Sequence, residues 1–540
     1  MRRIQLFFLS VISGILLSFP WIFSGLDWVL LFAFVPLLLA DSLQLQQRKF
    51  ENLSSSFLIG FIAFLLWNVL STWWISYVSF LGMLFITSLN SLFMSSVWWL
   101  KNKVHQKFGA ASGYFSLVVF WIAFEFLNHH GLLPWPWLTL GNGFANAVKI
   151  IQWYEFTGVL GGSVWILLSN ILIFIAVRNL LDQARLKFVW STGLALSAII
   201  FPIALSLYLY INYSEKGTMQ NVVVLQPNID PYTEKFSGMS ADDQISKLIS
   251  LADSRITDST DLVLAPETSL PPLWEDSLAL QSPSLLPLSQ IIDRFPNVSF
   301  IVGAITQRKF RSGEPVSNTA RQSNDGKYSF DVFNSAVMID RTGMIQFSHK
   351  NILVAGVEKD PFREYFSFLP DYMLDLGGIN CSLASGKEPK VFDLSSTRKV
   401  GPVICFESVF GEHVRQLVMN GANYIAVLTN DGWWKDSPGV WQHFGYSRIR
   451  AIETRRSVVR SANTGISGCI NQRGDVLVQT EIDVCDGVSS RIGMNNSITF
   501  YVSHGDYLGW ISLFLSGMIG IYFGLPKAGK GQKKSALIRL

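Results

Sequence analysis

KVGPVICFESVFGEHVRQLVMNG, residues 399–421, is the stretch from which the rest of the chain can be read. The apolar run from Val400 to Ile404 has the composition of a buried strand, and Cys405 follows it at once. After a short polar step, Glu412 to Asn420 has helical spacing and closes on Gly421, a residue suited to ending a helix. A cysteine at a strand-to-helix turn is held at the lip of a sheet, where its sulfur can meet a substrate. The nearby helix N-terminus is expected to favour the thiolate. The same stretch also fits a small cysteine filling a core strand, so its meaning depends on what other residues bring to it.

Away from that stretch the chain divides by composition. Its 540 residues exceed one ordinary domain. A mean hydropathy of +0.32, with 14% aromatic and only 15% charged residues, is too apolar for a wholly soluble protein. Residues 1–212 are mostly apolar, 213–500 have an ordinary globular mix, and 501–540 hold one more apolar run and a basic tail. The net charge of +4 is small and the basic residues cluster in short loops, which argues against nucleic acid as a partner. Cys381, Cys405, Cys469 and Cys485 match no zinc spacing and are too sparse for a disulfide framework. There is no glycine-rich phosphate loop, so neither metal nor cofactor is expected.

Met1-Arg2-Arg3 and the run from Ile4 to Phe23 resemble a signal peptide, but the run is long and lacks a small-residue cleavage site. It reads as a retained first helix. Further spans are expected near 27–41, 55–77, 80–100, 109–128, 158–177, 189–212 and 507–525, about eight in all. Basic residues fall in alternate connections: Arg2 and Arg3; Arg48 and Lys49; Lys101, Lys103 and Lys107; Arg178, Arg185 and Lys187; and the tail from Lys527 to Arg539. The opposite loops hold almost none, Lys149 being the main exception. This asymmetry predicts a membrane protein with both termini cytoplasmic and residues 213–500 on the outer side, which in a bacterium is the periplasm. Within the membrane part, Glu125 is costly in hydrocarbon and is expected to face the bundle interior. The Trp-, Pro- and Gly-rich connection 131–153 suits either an interfacial aromatic belt or a re-entrant loop beneath the outer domain.

Residues 221–480 alternate apolar β-branched runs with helical stretches, including a helix from Ser240 to Ala252 and a hairpin over 335–350 around Arg341-Thr342-Gly343. That pattern predicts an α/β sandwich. Polar residues end several of its strands: Glu267 after DLVLAP, Lys350 after the hairpin and Cys405 after VGPVI. Strand ends are where α/β sheets carry their sites. A thiol, a carboxylate to take its proton and an ammonium to hold an oxyanion form a complete set for acyl transfer. Spacing alone does not show that the three meet.

LAPETSLP, FSHKNILVAGVEKDPF and VICFESVF, with LTNDGWW and RAIETRRSVVRSANTGIS, resemble the nitrilase (carbon–nitrogen hydrolase) superfamily. FEFLNHHGLLPWPWLTLGNGF, in the membrane part, narrows the resemblance to its membrane-embedded branch, the bacterial apolipoprotein N-acyltransferase family, nearly end to end. The resemblance implies eight spans and an αββα nitrilase-like periplasmic domain. It implies Glu267 as general base, Lys350 as oxyanion stabiliser and Cys405 as nucleophile, with Glu358 and Glu407 auxiliary. It also implies a ping-pong reaction. A phospholipid acyl donor acylates the cysteine, and the α-amine of a diacylglyceryl-modified apolipoprotein acceptor takes the chain.

Three departures stand out. The family's Leu-Val-Pro-Phe-Gly-Glu loop here carries Ala355, Gly356 and Val357 before Glu358; Phe406 replaces a common tyrosine; and Phe236 replaces a common tryptophan. They bear on loop shape and on acceptor or lipid binding. Two other readings use the same residues: a membrane-tethered amidase or nitrilase, in which water replaces the amine, and an inactive nitrilase-like binding module. Retention of all three strand-end residues argues against the second.

Overall fold

The computed structural model describes residues 2–45, 53–131, 133–236, 238–276, 279–359 and 383–524. Arg48, Lys49, Cys381 and the basic tail lie outside them. Among the described residues, seven helices are long and apolar enough to cross a membrane: Arg3–Ile22, Asp27–Gln44, Ser55–Tyr77, Phe80–Phe108, Ala110–His130, Tyr154–Leu181 and Arg185–Asn212. The shorter apolar helix Tyr507–Tyr522 follows the α/β domain, and its Leu508 and Leu513 pack against Ile122 and Phe126. The chain is a membrane protein with an α/β domain appended, as its sequence predicts. The second span is irregular, a 3-10 turn over Asp27–Leu31 followed by the helix Val35–Leu45, whose early Pro36 suits a helix start.

One charge used to orient the chain is buried inside the helix bundle. Lys101 lies inside the helix Phe80–Phe108 and is fully buried. Its Nζ donates to Asp41 Oδ2 at 2.5 Å and to Asn102 Oδ1 at 2.9 Å. The helix runs past the apolar segment because Asp41, Asn102 and Ser56 supply polar partners at that depth.

Among the described residues of the α/β part, a sheet of eight strands faces one of six. In the first, Thr218–Gln226, Leu262–Leu264 and Ser299–Lys309 are parallel neighbours, and Ser329–Ile339 joins antiparallel. In the second, Lys399–Ile404, Tyr424–Thr429 and Val458–Ala462 run parallel. Val222, Val224, Leu264 and Met338 of one sheet pack against Val400, Ile404, Ala426 and Leu428 of the other. Strands buried on both faces read as continuous apolar runs rather than alternating ones, which is why these segments stand out in the sequence. Helices Ala241–Arg255 and Leu286–Arg294 cover one outer face; Gly411–Met419 and Pro438–Thr454 cover the other. The result is an αββα sandwich.

The membrane and α/β parts share one apolar core, in which Phe406, Phe410, Tyr446, Ile449 and Ile452 join Trp21, Trp67, Trp74 and Trp137. Gln442 bolts the junction. Its Oε1 accepts from Trp137 Nε1 at 2.7 Å and Trp74 Nε1 at 3.3 Å, and its Nε2 donates to Trp21 O at 2.7 Å and Ser71 O at 3.0 Å. Gln442→Leu leaves Trp137 Nε1 without its partner in a water-poor seam and Trp74 Nε1 with Ser71 O alone at 3.2 Å, at roughly 1–3 kcal/mol for each group stranded. A clear loss of thermal stability in the purified full chain is expected, whereas a change at the exposed Gln416 should stay within about 0.5 kcal/mol.

Candidate active site

Glu267, Lys350 and Cys405 each follow the end of a strand on the same rim of the sandwich. Glu267 comes after Leu262–Leu264 and lies directly over Gly303. A Cβ at Gly303 would approach Glu267 Cα and Thr268 N to 2.5 Å each, so the close crossing needs glycine. Lys350 follows Ile345–His349, and its backbone N–H donates to Asn334 O at 2.8 Å. Cys405 has φ of 53°, a left-handed backbone unusual for a residue with a Cβ, as has Thr268 beside the glutamate at 49°.

The side chains converge. Lys350 Nζ is 3.2 Å from Glu267 Oε1 and 2.9 Å from Glu358 Oε1, and Lys350 is only 1% exposed. Asn334 Nδ2 donates to both carboxylates, at 2.7 Å to Glu267 and 2.9 Å to Glu358. Burial would push the Lys350 ammonium down, but Glu267 and Glu358 outweigh it and hold the group well above the usual lysine range. Lys350 is therefore a fixed positive charge. Loss of water and the Glu267 carboxylate both push the Cys405 thiol up, against the opposing pull of Lys350. The thiol keeps its proton at neutral pH. This corrects the expectation of a thiolate favoured by a helix terminus: the element after Cys405 is a short 3-10 turn, Cys405–Val409, too small to carry a strong dipole.

Glu358 sits where it touches Lys350, shares Asn334 with Glu267, and accepts from Val354 N at 2.9 Å. The Ala355-Gly356-Val357 substitution closes as a tight turn, with Gly356 at φ of 80° and Val354 O accepting from the N–H groups of Val357, Glu358 and Lys359. Glu407 is directed elsewhere. Its Oε1 accepts from the N–H groups of Asn351 (2.6 Å) and Ile352 (3.1 Å), and its Oε2 from Ile404 N at 2.8 Å. Burial would raise it, yet His413 and the backbone donor at Ile404 outweigh that and keep it low. It ties the nucleophile strand to the loop after Lys350 and has no free oxygen for an incoming amine.

Three further groups bear on the site. Asn334 is a polar residue inside the otherwise apolar, buried strand Ser329–Ile339, a mismatch visible in the sequence. Lys235 is buried and donates to Glu267 O at 3.2 Å and Thr268 Oγ1 at 2.7 Å; burial pulls its ammonium down to about 8. Behind the nucleophile, fully buried His443 stands 2.9 Å from Asp431 Oδ1, with Nε2 at 2.8 Å from Ser408 Oγ and 3.2 Å from Cys405 O. Burial and the Arg460 charge pull this imidazole down, and its Nε2 stands against the Cys405 carbonyl from behind the nucleophile. Its only signal in sequence is a histidine on a helix face, which is not distinctive.

The comparisons with known proteins fall on both halves of this arrangement. The family model described as apolipoprotein N-acyltransferase N-terminal domain matches residues 13–172, and that described as carbon-nitrogen hydrolase matches 222–489. The chain belongs to the apolipoprotein N-acyltransferase family. It is 28% identical to the apolipoprotein N-acyltransferase of Chlorobaculum tepidum, covering 96% of this chain and 97% of that protein. The Geobacter metallireducens protein of that name is 25% identical, with 93% and 92% covered. The Haemophilus influenzae one is 26% identical, with 80% and 88% covered. As a member of the apolipoprotein N-acyltransferase family, the chain is an acyltransferase.

This membership gives the 131–153 connection its sense. From Pro136 to Ile150 it is a series of 3-10 turns under the α/β domain, with Trp137 1% exposed. Trp137 packs on Phe406, Trp434 and Tyr446. Phe406, next to the nucleophile, stacks on Trp135 and Trp137 with ring centroids 6.3 and 6.5 Å away. In this apolapolar stack a phenylalanine leaves no hydroxyl to satisfy. Glu125 braces the same connection, accepting from Leu140 N at 2.8 Å and Trp121 Nε1 at 3.0 Å. Phe236 stacks on Trp433 at 5.9 Å.

Proposed function

We propose that this acyltransferase moves an acyl chain from a membrane glycerophospholipid, through a thioester on Cys405, to the N-terminal amine of a diacylglyceryl-modified apolipoprotein. The observation carrying this reading is the buried Glu267–Lys350 pair whose charges both act on the Cys405 thiol, beside a loop of the membrane part. Glu267 takes the thiol proton as sulfur attacks the ester carbonyl. Lys350, held protonated, balances the negative oxygen of the tetrahedral intermediate. The C–O bond then breaks, and the proton on Glu267 goes to the departing alkoxide, giving a lysophospholipid. In the second half the acceptor amine attacks the thioester, gives a proton to Glu267, and the C–S bond breaks to leave an amide. Thiolate and proton recombine on Cys405. A thioester is reactive enough to form an amide without a nucleotide.

Glu358 and Asn334 hold the acid–base pair in register, and Glu407 fixes the loop after Lys350. The test is intact mass: incubation with phospholipid should add one acyl chain to the protein, and a diacylglyceryl-cysteine peptide should then remove it as an amide. An adduct discharged only to water would favour the hydrolase reading.

The orientation proposed from the basic loops places the α/β domain in the periplasm. A reporter fused after Ile211 should be active only on the periplasmic side, and one fused after Leu540 only in the cytoplasm. Both fusions reporting from one side would break the eight-span arrangement.

A further inference from the structure

Lys435 occupies a backbone position suited to glycine. Its φ of 52° and ψ of −163° lie in a region that side chains with a Cβ rarely enter. Such outliers tend to persist where the side chain is used. The Lys435 ammonium stands 5.0 Å from the ring centroid of Tyr77 and 5.8 Å from that of Tyr232. Tyr77 closes the 3-10 turn Trp73–Tyr77 at the end of a membrane span; Tyr232 belongs to the α/β domain. The Tyr232 hydroxyl is 2.8 Å from Trp433 O and 3.3 Å from Tyr77 O, which ties both rings to one seam.

The ammonium is exposed, and no carboxylate among the described residues forms an ion pair with it. Asp230 and Asp436 both act on the Asp483 carboxyl, and Asp436 directly follows Lys435 in the chain. Their field discourages a free anion from collecting here. An anion delivered by a lipid already in the bilayer is another matter, because its tether replaces long-range attraction. From Lys435 a wall of side chains leads inward. Trp433 stacks on Phe236, and Lys235, next in the chain, holds Glu267 O and Thr268 Oγ1.

We infer that Lys435, seated on Tyr77 and Tyr232, binds the phosphate of the glycerophospholipid acyl donor at the seam between the membrane helices and the α/β domain. A lysine ammonium is a compact charge suited to a phosphate oxygen, and the tyrosines hold it there by cation–π contact. The inference rests on the phospholipid donor proposed above.

The test uses the full chain in detergent carrying Cys405→Ala, so that nothing turns over. Binding of a short-chain glycerophospholipid is measured beside binding of the matching diacylglycerol, which lacks the phosphate. Lys435→Met should weaken phospholipid binding about tenfold, the size of one charge-assisted contact, and leave diacylglycerol binding unchanged. Lys435→Gly, which suits the backbone, should bind phospholipid as weakly as Lys435→Met, and Lys435→Arg should bind it as the parent does. Inorganic phosphate should not compete. Equal phospholipid binding by Lys435→Met and the parent overturns the inference. So does an equal loss for both lipids, which marks Lys435 as a packing or interfacial residue, and so does competition by inorganic phosphate, which marks a site for the soluble ion. If the binding results hold but the chain with Cys405 intact forms no acyl-enzyme from phospholipid, the donor assignment fails and the phosphate site stands.

Discussion

Cys405→Ala is expected to abolish the acyl adduct entirely, with no increase in mass after prolonged incubation with phospholipid. Cys405→Ser should leave little turnover, because an alcohol is a far weaker nucleophile than a thiol near neutral pH. The remaining cysteines provide the control. Cys469 is buried and its thiol is pushed up to about 12 by burial alone, with no activating partner. Cys485 is exposed. Cys469→Ala, Cys485→Ala and Cys381→Ala should each still acylate. An adduct mapped to one of those three, with Cys405 unmodified, would overturn the assignment of the nucleophile.

Glu267→Gln and Lys350→Met should both slow acylation severely yet move the thiol in opposite directions. Losing the general base is expected to slow acyl-enzyme formation by about 10²–10⁴-fold. The Glu267 charge, however, helps hold the thiol proton on. Removing it leaves Lys350 less opposed, so the Cys405 thiol should titrate at lower pH and react with a neutral alkylating reagent more readily at pH 7. Lys350→Met removes the charge that stabilises both the thiolate and the oxyanion. Acylation should fall about 10²–10³-fold, and alkylation should begin only at a higher pH than in the parent. Glu267 and Glu358 then share a buried site without their cation, and breaking such a buried pair costs about 3–5 kcal/mol, to be read as a lower melting temperature. Alkylation rate against pH separates the two variants. If both shift the thiol the same way, the electrostatic account of the site is wrong. Parental acylation by Glu267→Gln across pH 6–9 would mean the base is another group. Glu407 is a poor substitute, since its oxygens already accept three backbone N–H groups.

Much of this was legible in the chain because the central strands are buried on both faces. Lys399–Ile404 and Tyr424–Thr429 have no solvent-facing side to interrupt the apolar run, so their ends, and the polar residues there, are sharply marked. Span positions follow from hydropathy for the same reason. What stayed hidden depends on partners distant in sequence. Lys101 looks like a loop charge until Asp41 is brought beside it. Cys405 looks like an activated thiol until Glu267 is placed near its sulfur. Glu407, two residues from the cysteine, looks available to substrate, whereas the backbone of Asn351 and Ile352 takes up its Oε1. His443 and Asp431 gain meaning only from the carbonyl they support.

The Gln442 bolt and the Trp137 stack also bear on how such a protein can change. An α/β fragment cut free after residue 212 would carry Gln442 without Trp21, Ser71, Trp74 or Trp137, and would present Phe406, Phe410 and Tyr446 to water where the membrane part now covers them. A secreted enzyme could not be made by trimming the anchor alone. Nor could recombination exchange one half for that of a distant relative, since the aromatic seat under Phe406 and the nucleophile it supports come from opposite sides of the join. The two halves must be inherited together, and a substitution at Trp137 sets the terms for the next one at Gln442.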